Sequence, residues 1–192
     1  MDRKQGAEAT IEIEENKVLK RRYPKEYRHP DLDSKIIKER TDTEVRLLED
    51  ARRHNVNVPK AEKTDESTIE MEEIEGDILK EIIENRTGLM KDFGKNMAFL
   101  HSTDIIHGDL TTSNAMATKE ELFLIDFGLA FRSQRIEDKA VDIHLLKQVL
   151  NSSHPEIAGK AWEFFVEGYS EYERSDEVLE QLKDVEKRGR YK

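Results

Sequence analysis

The stretch Ile105-Ile106-His107-Gly108-Asp109-Leu110-Thr111-Thr112-Ser113-Asn114, followed by the apolar run Leu122-Phe123-Leu124-Ile125 and then Asp126-Phe127-Gly128, constrains this chain more than any other. Two carboxylates and an amide sit just beyond short apolar segments, where a side chain can project from a packed scaffold into a cleft. Asp109 can accept or orient a hydroxyl proton. Asn114 offers a neutral oxygen and Asp126 an anionic one, both of which suit a hard divalent cation. Singly, each is explained as well by a polar loop, and Asp126 by a turn before Gly128. Jointly, they fit phosphoryl transfer, which asks a protein for positioning, metal ions and a carboxylate beside the attacking hydroxyl.

The order Asp, Asn, hairpin, Asp-Phe-Gly resembles the H-x-D-x-x-x-x-N and D-F-G pair of protein kinases. Other parts of a kinase can then be sought. Ala9 to Glu14 and Lys17 to Tyr23 read as a hairpin across Glu15-Asn16. Before it, Lys4 to Ala9 stands where a kinase has its phosphate-covering loop, with one glycine in place of three; Gly6 either lets backbone approach a phosphate or is an ordinary turn residue. Lys20 resembles the strand lysine that holds the α- and β-phosphates, although its basic neighbours read equally as a solvated strand. Leu32 to His54 is helical, with Ile36, Ile37, Leu47, Leu48 and Ala51 in phase. Glu44 shares that apolar face, and an acid there needs a partner. A Lys20–Glu44 pair meets the need; Glu39 is the alternative if the helix phase slips.

Val56 to Thr64 and Thr68 to Ile74 read as strands, and Asp77 to Asn85 as a short helix. If Met71 to Gly76 is an interlobe hinge, the Glu72 carbonyl and the Ile74 N–H face the adenine edge; otherwise it is an acidic exit from an edge strand. Leu89, Met90, Phe93, Met97 and Leu100 mark a core helix, and His107 reads as a packed structural histidine. The helical pattern resumes near Asp138 with Val141, Leu145, Leu146, Val149 and Leu150 as its apolar face. Asp142 either braces the loop around Asp109 or is an ordinary first-turn acid. Pro155 suits the first turn of a helix carrying Trp162, Phe164, Phe165, Val166 and Tyr169. Val178, Leu179, Leu182 and Val185 mark the last helix.

Composition limits the partners. The formal charge is −10, and 39% of residues are charged, which argues against a general nucleic-acid coat. Basic residues nevertheless gather at Lys17 to Arg28 and at the end, Lys187-Arg188-Gly189-Arg190-Tyr191-Lys192. Without cysteine there is no disulfide or thiolate metal site. No apolar run approaches the roughly 18 residues of a membrane span, so a cytoplasmic protein is expected.

Gln5 to Ala9, Tyr27-Arg28-His29-Pro30, Arg40-Thr41 with Glu44, Met71 to Gly76, His107 to Asn114, Ile125 to Leu129, Glu137 to Asp142 and Arg188-Gly189-Arg190 together resemble the small atypical, PRPK-like kinase family of the KEOPS (EKC) complex. The resemblance spans nearly the whole chain. It implies an α+β fold, a reduced bilobal protein-kinase-like architecture: an N-lobe over 1–74 with a small antiparallel sheet and one long helix, and a mainly helical C-lobe over 75–192 with a basic tail. It implies ATP and Mg²⁺, with Mn²⁺ as a substitute, and Ser/Thr kinase or ATPase activity in making threonylcarbamoyl-adenosine in tRNA. Asp109 and Lys20 would be catalytic; Gly6, Lys20, Glu44, Glu72, Ile74, Asn114 and Asp126 would bind the nucleotide, with Asn114 and Asp126 on the metal. The implied partners are the threonylcarbamoyl transferase subunit and other members of that complex, with tRNA reached indirectly or through the tail. A small-molecule phosphotransferase of the aminoglycoside or choline kinase type, and a nucleotide-binding scaffold, are the alternatives. The segment after Gly128 lacks both the length of a kinase activation loop and an Ala-Pro-Glu end, and Gly108 rather than Arg precedes Asp109, so switching by loop phosphorylation is not expected.

Overall fold

A computed structural model describes residues 2–5, 9–14 and 16–189, with backbone alone at 2–5 and 189. Strand β1 (Asp2–Gln5) pairs antiparallel with β2 (Ala9–Glu14), and β2 pairs with β3 (Lys17–Arg22) in the register Ile11↔Lys20 and Ala9↔Arg22. Lys4 and Gln5, the start of the expected phosphate loop, are thus strand residues. Helix α1 (Pro30–Arg53) follows, with proline in its first turn, Asp31 and Asp33 near its start, and Arg52 and Arg53 near its end. Each of these suits the helix ends and their dipole. β4 (Ala61–Lys63) and β5 (Thr68–Glu72) complete one antiparallel sheet in the order β1-β2-β3-β5-β4. Leu47, Leu48 and Ala51 bury the inner stripe of α1 together with Ile69 of β5.

The chain then leaves the sheet through 73–76. The expected helix from Asp77 is instead β6 (Asp77–Ile78) followed by a single turn, α2 (Leu79–Ile82), because Asp77 and Ile78 pair with Ala117 and Met116. Such pairing is decided by distant residues and overrides local preference. Helix α3 (Leu89–Ser102) buries Met90, Phe93, Met97 and Leu100. After β7 (Ile105–Ile106) and a 3-10 turn (Thr112–Asn114), the hairpin β8 (Ala115–Ala117) and β9 (Leu122–Leu124) carries the chain to Asp126. β10 (Phe131–Arg132) returns to pair with β7.

Three helices close the second lobe: α4 (Ile136–Ser153), α5 (Ala158–Tyr169) and α6 (Ser175–Gly189). Pro155 lies in the turn before α5, not in its first helical turn. The buried face of α4 is Lys139, Ala140, Asp142, Ile143, Leu146 and Leu150, whereas Val141 is 49% exposed. Leu146 and Leu150 of the expected face are buried, but the face is rotated away from Val141, since α4 turns a lysine and an aspartate inward to meet partners on α3, on the turns before β7 and after α5, and on the loop after β7. α5 lies so close to α3 that a Cβ on Gly168 would stand 1.9 Å from the Lys91 carbonyl oxygen, a contact that only glycine permits. The result is the expected α+β architecture, a small antiparallel-sheet lobe with one long helix against a helical lobe. No described helix is long and apolar enough to cross a membrane.

Candidate active site

Alternation along β3 sends Lys20 and Arg22 to the same face of the sheet, toward α1. Both are buried, at 5% and 4% exposure. Lys20 Nζ donates to Glu44 Oε1 at 2.7 Å and to Asp126 Oδ1 at 2.6 Å. Arg22 Nη2 donates to the other carboxylate oxygen of Glu44. Glu44 is 1% exposed, and its charge tolerates the core because each oxygen meets a cation. Glu39 points to solvent, where it pairs loosely with Lys35.

Asp126 is held differently. Its φ is +62°, a left-handed conformation that strains a residue with a Cβ. In return the carboxylate reaches back to accept the Gly128 N–H at 3.2 Å while staying on Lys20. Burial alone would raise its pKa, but the Lys20 charge and hydrogen bond, the Gly128 N–H and nearby His107 together hold it below the usual carboxylate range. About half the side chain remains open to solvent, at 53%, so an anionic oxygen faces the cleft.

The loop bearing Asp109 is fixed from beneath. Asp142 of α4 accepts the His107 N–H at 2.8 Å and the Gly108 N–H at 3.0 Å. His101 Nε2–H donates to the same carboxylate at 3.3 Å, and the Tyr169 hydroxyl donates to His101 Nδ1 at 2.7 Å. Burial holds the His101 pKa below its ordinary value even though Asp142 pulls the other way, which keeps the ring neutral. Gly108 has φ +80°, and a Cβ there would stand 2.4 Å from the Leu129 carbonyl oxygen. An arginine at this position is therefore excluded by space as well as by sequence. His107 is fully buried, donates from Nε2 to the Ile125 carbonyl at 3.1 Å and packs on Phe127 with centroids 5.0 Å apart.

Asp109 and Asn114 meet across the loop. Asn114 Nδ2 donates to both the backbone oxygen and Oδ2 of Asp109, each at 2.9 Å. The Ile125 N–H donates to the Asn114 backbone oxygen at 3.0 Å, which sets the residue before Asp126 against the same turn. Glu72 ends β5, its N–H on the Lys60 carbonyl, and Ile74 is half-buried in the 73–76 link between the lobes. Gly6 and the terminal residues Arg190 to Lys192 lie outside the described residues. Arg188 closes α6 and pairs with Glu137 of α4 at 2.7 Å, so it is part of the folded helix and not of a free tail.

A family model described as the RIO domain matches residues 8–148. This chain belongs to the RIO-domain family. It is 38% identical to the KEOPS complex subunit Bud32 of Pyrococcus abyssi, over 98% of this chain and 95% of that one. It is 37% identical to a probable serine/threonine-protein kinase BUD32 homolog of Archaeoglobus fulgidus, over 97% and 94%. Against a probable bifunctional tRNA threonylcarbamoyladenosine biosynthesis protein of Methanobrevibacter smithii the identity is 43% over 97% of this chain, but it spans only 36% of that longer protein. In fold it is similar to the Rio2 kinase of Chaetomium thermophilum, solved as an ADP/Mg²⁺-phosphoaspartate complex, with a TM-score of 0.64 at 12% identity, covering 100% of this chain and 71% of that one.

Two residues of this RIO-domain protein escape a reading of its sequence. Arg22 is hidden among the basic residues of β3, yet its place two positions after Lys20 was a usable signal, since period two puts both on one face. His101 ends the core stripe of α3 and carries no local mark of its contact with Asp142.

Proposed function

We propose that this chain is a Mg²⁺-dependent ATP phosphotransferase and ATPase, working as the kinase subunit of a KEOPS-type complex in tRNA threonylcarbamoyl-adenosine modification. The observation that carries the chemistry is Lys20 buried on Glu44 and Asp126, with the tied pair Asp109–Asn114 joined to the residue before Asp126 through the Ile125 N–H on the Asn114 backbone oxygen. The name of the Pyrococcus abyssi relative supports the complex, that of the Archaeoglobus fulgidus relative the kinase activity, and that of the longer Methanobrevibacter smithii relative the tRNA pathway.

The residues present fit a nucleotide with magnesium. Mg²⁺ favours one or two protein oxygens plus phosphates and water. Asp126 supplies a half-open carboxylate, and Asn114, whose amide nitrogen is occupied by Asp109, supplies its carbonyl oxygen. When bound, the metal would neutralise charge on the transferring phosphoryl group. Lys20 would hold the phosphates while Glu44 keeps it aimed. The backbone of Glu72 and Ile74 would meet the base at the link between lobes, and Gly6, which falls between β1 and β2 in sequence, would approach the phosphates. Asp109, fixed through His107, Gly108 and Asp142, would accept or orient the proton of the attacking hydroxyl or water. Oxygen donors of this kind also admit Mn²⁺.

ATP labelled on the γ-phosphate tests the reading. The chain alone, and with the threonylcarbamoyl transferase subunit and tRNA, should release phosphate or transfer it to protein only when magnesium is present, and the ratio of the two products tells hydrolysis from transfer. Absence of both products under every condition would remove the proposal.

A further inference from the structure

Arg22 has more to do than fill the core. Its Nη2 takes one oxygen of Glu44 while Lys20 takes the other, and its Nη1 reaches Thr41 Oγ1 at 3.4 Å. Its Nε is buried without a hydrogen-bond partner, a costly arrangement unless the charge serves a purpose. A Cβ on Gly128 would lie 3.3 Å from Lys20 Nζ and 3.7 Å from Arg22 Nη2. Both cations therefore stand directly behind the Asp126-Phe127-Gly128 turn.

Charge explains the arrangement. If Lys20 alone faced Glu44 and Asp126, the cluster would carry a net negative charge and repel a polyphosphate. With Arg22 included the four groups balance, and once Asp126 turns to a metal the remaining three present a net positive charge to the phosphates. We propose that Arg22 is a positioning residue of the nucleotide site: it pins Glu44 and supplies the second positive charge, so that Lys20 can leave Asp126 for the phosphates while Glu44 stays in place. This rests on the nucleotide reading given above, and Arg22 itself touches neither base nor phosphate in it.

The test compares two ligands, magnesium–ADP by calorimetry and manganese alone by electron paramagnetic resonance, on wild type, Arg22→Gln and Arg22→Lys. Gln keeps a donor for Glu44 and loses the charge; Lys keeps the charge. One charge removed at about 10 Å and an effective dielectric near 20 predicts magnesium–ADP binding weakened on the order of tenfold in the Gln variant. Manganese affinity in the same variant should hold or rise, because the site becomes more negative. The Lys variant should bind magnesium–ADP within about threefold of wild type. A Gln variant that binds magnesium–ADP like wild type, or loses both ligands in parallel as a merely structural defect would, overturns the role. If the Gln variant does not fold, the Lys variant decides: a folded Lys variant tenfold weaker for magnesium–ADP overturns it, and retention supports it. Wild type failing to bind magnesium–ADP would instead remove the nucleotide reading.

Discussion

Replacing Asp142 should damage both stability and turnover, and the structure says by how much. Its carboxylate is 3% exposed and accepts the N–H groups of His107 and Gly108 and the ring N–H of His101. Asp142→Ala leaves these donors facing a space that holds no acceptor. A buried donor without a partner costs about 1–3 kcal/mol, and with three of them at the low end of that range, because water can enter the emptied space, the loss should total roughly 3–5 kcal/mol. For a chain of this length that lowers the melting temperature by about 6–20 °C. Asp142→Asn keeps one acceptor oxygen but sets an NH₂ against one of the donors, and should fall between wild type and Ala. Turnover is hit separately, because the peptides that Asp142 grips lead directly into Asp109, and a displacement near 1 Å costs on the order of 10²-fold in rate. The assays are thermal and urea unfolding, followed by labelled-ATP turnover at a temperature where each variant is fully folded. A melting point within about 2 °C of wild type, with turnover within about threefold, would refute the bracing role.

The His101 ring is buried and neutral, with a folded pKa below its ordinary value near 6.5. The unfolded chain binds that proton more readily, so this stabilisation is fully present above about pH 6.5 and is lost as pH falls toward the folded value, with a slope of at most about 1.4 kcal/mol per pH unit. Urea unfolding between pH 7 and 5 should show a shallower loss for His101→Gln; an unchanged slope would place the titration elsewhere. Asp126→Ala removes the carboxylate proposed to hold the metal, so it should move the magnesium concentration for half-maximal turnover upward by on the order of tenfold or more. An unaltered magnesium titration would count against that assignment.

What could be read in the sequence depended on how locally each feature is encoded. Asp109, Asn114 and Asp126 lie within one loop and hairpin, so their spacing alone states their relation. Glu44 stood out because an acid in phase with Leu47, Leu48 and Ala51 is anomalous wherever the helix packs. By contrast, Arg22 is explained only by Glu44 on another element, and a basic strand looks solvated until its counter-ion is known. The face of α4 was read only in part, for a similar reason. Leu146 and Leu150 lie on the expected face and are buried, but Val141, Leu145 and Val149 look as apolar as Ile143, and the choice among them is made by Lys139 meeting Asp104 and Tyr172, and by Asp142 meeting the loop after β7. Asp77 and Ile78 likewise look helical until their partners on β8 are in view.

The central claim is that Asp109 acts on the attacking group while other residues hold nucleotide and metal. Asp109→Ala separates the two, because Asn114 keeps its bond to the backbone oxygen of residue 109 and Lys20, Glu44 and Asp126 are untouched. Magnesium–ADP binding and magnesium-dependent ATP turnover measured on the same folded preparation should show affinity within about threefold of wild type and a rate lower by about 10²-fold or more. A variant that binds as well and turns over ATP at near wild-type rate would contradict the account.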